Sequence, residues 1–159
     1  MKQVLFAMLA LSAAPALAAD NSAWFLVWSD EFDGGKIDRA KWGYDVDCWG
    51  GGNEEHQCYT KSARNAAIED GKLVITARYE RVTGPALPEH LRRTSATPEA
   101  EATRDISSAR LSTRGKAAWR YGKVEVRAKL PQGQGTWPAI WMLPEKDRYG
   151  SWAASGEID

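Results

Sequence analysis

Between Lys123 and Leu130 the side chains alternate without a fault: Val124, Val126, Ala128 and Leu130 fall on one side, Lys123, Glu125, Arg127 and Lys129 on the other. A period of two is the signature of a strand, because successive side chains of extended backbone point to opposite faces. Leu73, Ile75 and Ala77 alternate with Val74 and Thr76 in the same way, and in Ser108 to Thr113 Arg110 faces away from Ala109 and Leu111. No segment sustains the 3.6-residue period of a helix, and the apolar run Ala139 to Leu143 is too short to make one. Turn residues punctuate the strands at Asp33-Gly34-Gly35, Gly50-Gly51-Gly52, Asp70-Gly71 and Pro131 to Gly135. Glu80 to Asp105, which carries Pro85, Pro88 and Pro98, is expected to form a surface loop between two strands. The pattern predicts an all-β fold, a sandwich or β-jelly roll in which strand edges are paired and one face of each sheet is covered.

Charge narrows the range of partners. Lys plus Arg and Asp plus Glu both total 21, which leaves no basic footprint for nucleic acid or an anionic membrane. A neutral partner fits better, and the 8 tryptophans offer flat apolar surfaces beyond what a core needs. Residues 1–18 read as a signal peptide: Lys2, the apolar run Val4 to Leu11, a break at Pro15, and the small-x-small site Ala16-Leu17-Ala18. The expected location is secreted or periplasmic, with no membrane association after cleavage. In that compartment the two cysteines, Cys48 and Cys58, are expected to form a disulfide, which would close a short Gly-rich loop and contribute about 2 to 3 kcal/mol. A Cys/His metal site with His56 is the alternative, but the cysteine spacing matches no common zinc pattern.

The last residues, Ser155-Gly156-Glu157-Ile158-Asp159, would as a strand project Glu157 and Asp159 from one face and Ile158 from the other. Upstream, Trp137, Ala139, Trp141 and Leu143 share one strand face. Two bland readings compete here: solvent-facing acids at a strand end, and tryptophans buried in a core. Sugar rings ask for something else, namely indoles under their C–H faces with carboxylate, amide and guanidinium groups at their hydroxyl edges. The chain carries both kinds of group.

Five blocks taken in order, Leu26 to Gly34 (LVWSDEFDG), Gly50 to Thr60 (GGGNEEHQCYT), Gly71 to Ala77 (GKLVITA), Ser108 to Pro144 and Gly156 to Asp159 (GEID), resemble the laminarinase-like members of glycoside hydrolase family 16. The resemblance runs over nearly the whole of residues 19–159. It implies a β-jelly roll with a concave substrate cleft, endo-cleavage of β-1,3-glucan, with β-1,3-1,4-glucan as a possible second substrate, and retention of configuration. The family signature is Glu-x-Asp-x-x-Glu, or the same with one spacer fewer. It makes Glu157 the nucleophile and Asp159 its neighbour, and it sets the acid/base Glu two or three positions further on. On that match the chain is the N-terminal portion of a catalytic domain, interrupted within its active-site strand.

Retention requires two carboxyl groups roughly 5 to 5.5 Å apart, one attacking the anomeric carbon, the other protonating the leaving oxygen and then activating water. Acids crowded on one strand raise one another's pKa, so a proton is held within the group. The resemblance assigns substrate contacts to Asn53, Glu54, Arg110, Trp137 and Trp141. Arg110 has support of its own, since a planar fork suits vicinal hydroxyls, whereas Asn53 also reads as an ordinary turn residue after three glycines. Cys58 occupies a position where the family usually has an aromatic residue, which bears on the shape of the distal subsites. No cofactor is needed for the chemistry, but the resemblance also implies a structural calcium with Glu31 and Gly71 among its oxygen ligands; Glu31 alone reads equally as a surface acid. The expected partner is β-glucan, and the expected state a monomer. The other class left open is a non-catalytic glucan-binding jelly roll that keeps the Trp and Arg surface without the acids.

Overall fold

The computed structural model describes residues 24–159, so the signal segment expected at 1–18 lies outside the described residues. The architecture is all-β apart from one helical turn, α1 (Glu89–Arg92), and a 3-10 turn at Gly50–Gly52. β1 (Gly43–Tyr44) pairs antiparallel with β7 (Leu111–Ser112). β2 (Gln57–Tyr59), β6 (Glu101–Ser108) and β5 (Arg78–Pro85) form a three-stranded sheet in that order, β2 parallel and β5 antiparallel to β6. β3 (Ala66–Glu69) and β4 (Lys72–Ile75) make a separate hairpin.

Local chemistry accounts for these elements. Asp70 and Gly71 both have positive φ, 49° and 67°, as a two-residue hairpin turn matching the twist of its strands requires. In the segment expected to be a surface loop, Glu80 to Asp105, β5 and β6 instead run deep into both ends. Val82 faces Arg104 and Thr83 faces Thr103, whose hydroxyls share a 2.7 Å hydrogen bond. The prolines explain the difference, since Pro85 sits at the last position of β5 and Pro88 and Pro98 lie outside the ladder, leaving every N–H that pairing requires. Only the stretch around α1 stays a loop. Opposite it, the backbone N–H of Cys48 donates to the Pro85 carbonyl at 2.7 Å, tying the Gly-rich region to the end of the hairpin.

The buried centre is small and partly polar: Cys48, Cys58, Ala66 and Ala109 with Asp47, Asn65 and Ser107. Parallel pairing sets Cys58 beside Ser107, and both side chains point inward. Asn65 spans the elements around them. Its amide donates to the Thr76 carbonyl (3.0 Å) and to Ser107 Oγ (2.8 Å), and its Oδ1 accepts from the Thr60 hydroxyl (2.6 Å). Ser107 in turn donates to Glu80, which also meets Arg64. Tryptophans brace the start of the chain: Trp28 lies edge-on to Trp42 and Trp119, with centroids 5.5 and 5.3 Å away, and Trp42 Nε1 donates to Asp30 Oδ2 at 2.8 Å.

The strand expected at Lys123 to Leu130 does not form. Val124, Val126 and Leu130 are exposed, and no strand lies beside them among the described residues. Alternation gives a strand its two faces but not its ladder partner, and unpaired extended backbone is not a β-strand. In the apolar run Ala139 to Leu143 only Met142 pairs, exchanging hydrogen bonds of 2.7 and 3.1 Å with Ile158. Ile75, expected on a half-buried face, is exposed.

Asn65→Ala should cost about 2 kcal/mol, the penalty for leaving buried partners unsatisfied, and thermal unfolding of the full-length protein measures it. An unchanged Tm would show that the Asn65 network does not brace the hairpins.

Candidate active site

Two groups of side chains have site chemistry. The first is built on the Gly-rich loop and β2. Cys48 and Cys58 are joined by a disulfide that closes the loop carrying Gly50 to Gln57. Gly52 (φ 84°) is required there, because the Trp49 ring lies 2.9 Å from where a Cβ would stand. In β2, strand alternation turns Cys58 into the interior and sends Gln57 and Tyr59 to the other face, where Glu55 of the loop meets them. Gln57 Nε2 donates to Glu55 Oε2 (2.6 Å) and to the Tyr59 hydroxyl (3.0 Å), and Asn53 Nδ2 reaches Glu55 Oε1 at 3.5 Å. Arg110 lies over the Tyr59 ring, 4.7 Å from its centroid, and its Nε donates to Asp45 Oδ2 at 2.6 Å. Asn53 and Arg110 thus belong to one continuous polar surface. Glu54 takes a left-handed conformation (φ 59°) and stays exposed, while the neighbouring Glu55 makes the side-chain contacts.

The second group lies at the C-terminal end. Ile158 pairs with Met142, flanked by the exposed carboxylates Glu157 and Asp159. A turn over Ser151 to Ser155, held by Ser155 Oγ donating to the Gly150 carbonyl (2.6 Å), brings Trp152 back so that its indole N–H donates to Glu157 Oε2. Trp141 is next to the paired Met142, and Trp137 and Trp141 are 79% and 37% exposed. Neither is packed into the interior.

Sequence reading missed Asp45, Glu55, Gln57, Tyr59 and Trp152. The period-two spacing of Glu55, Gln57 and Tyr59 was a usable signal. Asp45 had none, since its partner Arg110 is 65 positions away. The residues suggested for calcium supply a carboxylate and a backbone carbonyl. Glu31 is exposed, Gly71 lies in the β3–β4 turn, and no group of three His, Cys, Asp or Glu converges among the described residues.

Asp47 sits behind this surface. Its Oδ1 accepts from the Trp49 N–H at 3.1 Å, but Oδ2 is buried without a partner. Burial raises its pKa above the ordinary 3.8, only partly offset by the Trp49 N–H and the Arg110 charge. Tyr59 is likewise raised, by burial and then by the Glu55 carboxylate.

The profile of Glycosyl hydrolases family 16 matches residues 53–159, a span that takes in the C-terminal group and, of the first, Asn53 to Tyr59 and Arg110. The chain belongs to that family. A β-glucanase of Rhodothermus marinus is 45% identical over 100% of this chain and 52% of its own length. Glucan endo-1,3-β-glucosidase A1 of Niallia circulans is 42% identical over 91% of this chain and 20% of its own. The chain therefore spans about half or less of the length of these relatives. The crystal structure of the Rhodothermus marinus laminarinase superposes with a TM-score of 0.69 at 50% identity, covering 86% of this chain and 48% of that one. At such identity the likeness carries the fold, that of a family 16 β-jelly roll.

A raised carboxyl pKa means that the folded state binds the Asp47 proton more tightly than the unfolded state. Its contribution to stability therefore falls as pH rises from 3.8 through the folded-state pKa, and the penalty is complete above it. Asp47→Asn, which keeps the acceptor for Trp49, should raise Tm at pH 7, with the gain shrinking as pH falls and smallest below 3.8. Thermal melts across pH measure this, and a gain that is the same at pH 3 and pH 7 would rule out a buried charge at Asp47.

Proposed function

We propose that the protein is a secreted or periplasmic, monomeric endo-glycoside hydrolase that cleaves β-1,3-glucan with retention of configuration, mixed β-1,3-1,4-glucan being the candidate second substrate. The reading rests chiefly on one observation: in a family 16 chain similar to a β-glucanase and a glucan endo-1,3-β-glucosidase, Glu157 stands exposed beside the Met142–Ile158 bridge with an indole N–H on its carboxylate. Neutral overall charge and the exposed Trp137 and Trp141 suit an uncharged polysaccharide, whose rings would stack on the indoles while Arg110 and Asn53 meet hydroxyl edges.

In this reading Glu157 attacks the anomeric carbon as the glycosidic C–O bond breaks. The leaving oxygen takes its proton from the Glu that the family signature sets two or three positions after Asp159. Water, activated by the same Glu, then releases the sugar from Glu157. The Trp152 N–H donates to Glu157 Oε2 and so holds the attacking carboxylate in place. Asp159, two positions further on, would orient Glu157 and help to keep the proton on the distal Glu. No cofactor takes part, and a structural calcium, if bound, would act on the fold alone.

Glu157→Gln in the full-length protein should lower kcat on laminarin by about three orders of magnitude or more, the scale expected when a covalent nucleophile is lost, with laminarin binding retained. Reducing-end release and affinity electrophoresis measure the two. A variant keeping more than about a tenth of the wild-type rate would remove Glu157 from the role, and a wild type that binds laminarin without cleaving it would make the protein a glucan-binding module.

A further inference from the structure

Arg110 is prepared before any ligand arrives. β2 and β6 run parallel, with Tyr59 facing Ser108, so the residue two positions past Ser108 emerges on the same face as the Tyr59 ring. That residue is Arg110, and its guanidinium rests on the ring. From the other side, the backbone N–H of Asp45 donates to the Arg110 carbonyl at 3.0 Å, which brings the Asp45 carboxylate onto Nε at 2.6 Å. Both side chains of this ion pair are mostly covered, 20% exposed for Arg110 and 26% for Asp45, unlike surface pairs, which contribute little.

The contact is made at Nε alone. Among the described residues neither Nη of Arg110 has a hydrogen-bond partner, so the outer edge of the fork keeps its donors. Tyr59 is held in turn by Gln57 and Glu55. An arginine in water loses much rotamer freedom when it grips a ligand, and fixing it in advance removes that cost from binding. Resting on the functional reading above, we propose that Asp45 and Tyr59 are positioning residues that hold Arg110 as a preformed donor for vicinal hydroxyls of the glucan, one clamping its Nε and the other supporting its plane.

The test is steady-state hydrolysis of laminarin by the full-length protein and its variants. Asp45→Ala should raise KM about tenfold with kcat within about twofold, because ground-state binding is what preorganisation supplies. Tyr59→Leu should raise KM about fivefold, and Tyr59→Phe, which keeps the ring, should restore most of that loss. A merely structural role would lower Tm and the active fraction without moving KM. Unshifted KM in folded Asp45→Ala and Tyr59→Leu overturns the proposal. Should Asp45→Ala fail to fold, Asp45→Asn decides, with KM expected to rise about threefold as the charge on the clamp is lost; an unshifted KM there overturns the proposal equally. A wild type that neither cleaves nor binds laminarin sinks the functional reading and this proposal together, whereas an active wild type with unshifted variants sinks this proposal alone.

Discussion

β6 is paired on both edges, and most of the molecule is arranged by that constraint. Its antiparallel edge fixes β5, and through Pro85 the backbone of Cys48. Its parallel edge fixes β2, so that Cys58 and Ser107 meet inside while Tyr59 and Arg110 meet outside. A parallel pair cannot be closed by a short turn, and here the chain between the two strands is used to build the β3–β4 hairpin and β5. Asn65, at the start of that hairpin, reaches back to Ser107. One strand therefore organises a buried polar centre on one side and a candidate sugar-binding surface on the other.

The disulfide acts on the same frame from the N-terminal side. It joins the residues bordering a loop of three successive glycines with positive φ, backbone that would otherwise hold no single shape. Closing that loop limits where Asn53 and Glu55 can go, and the network of Glu55, Gln57 and Tyr59 carries the order across to Arg110. The C-terminal group is organised separately, by the Met142–Ile158 pairing and the turn that returns Trp152 to Glu157.

The all-β class, the Asp70-Gly71 turn and the family were legible because each has a local signature: a period of two, a two-residue turn, a run of motifs in order. What the sequence did not disclose depends on partners distant along the chain. Lys123 to Leu130 has perfect alternation and still forms no strand, since hydrogen-bonding neighbours are not written into alternation. Glu80 to Asp105 has the proline content of a loop, yet Pro85 ends β5 and Pro88 and Pro98 lie outside the ladder, so most of both strands can pair. Three of the tryptophans, Trp28, Trp42 and Trp119, pack against one another, so not all of the aromatic excess serves as ligand surface. Arg110 was singled out for its facing, but Asp45 and Tyr59, which hold it, became visible only when strand register brought them together.

The account stands or falls on a covalent bond between Glu157 and the sugar. Mass spectrometry of the full-length protein, after reaction with a 2-deoxy-2-fluoro laminaribiosyl fluoride that traps glycosyl-enzyme intermediates, tests it directly. The expected result is one added disaccharide on the peptide containing Glu157. Labelling of a different carboxylate, or no adduct from an enzyme that is turning over laminarin, would contradict it.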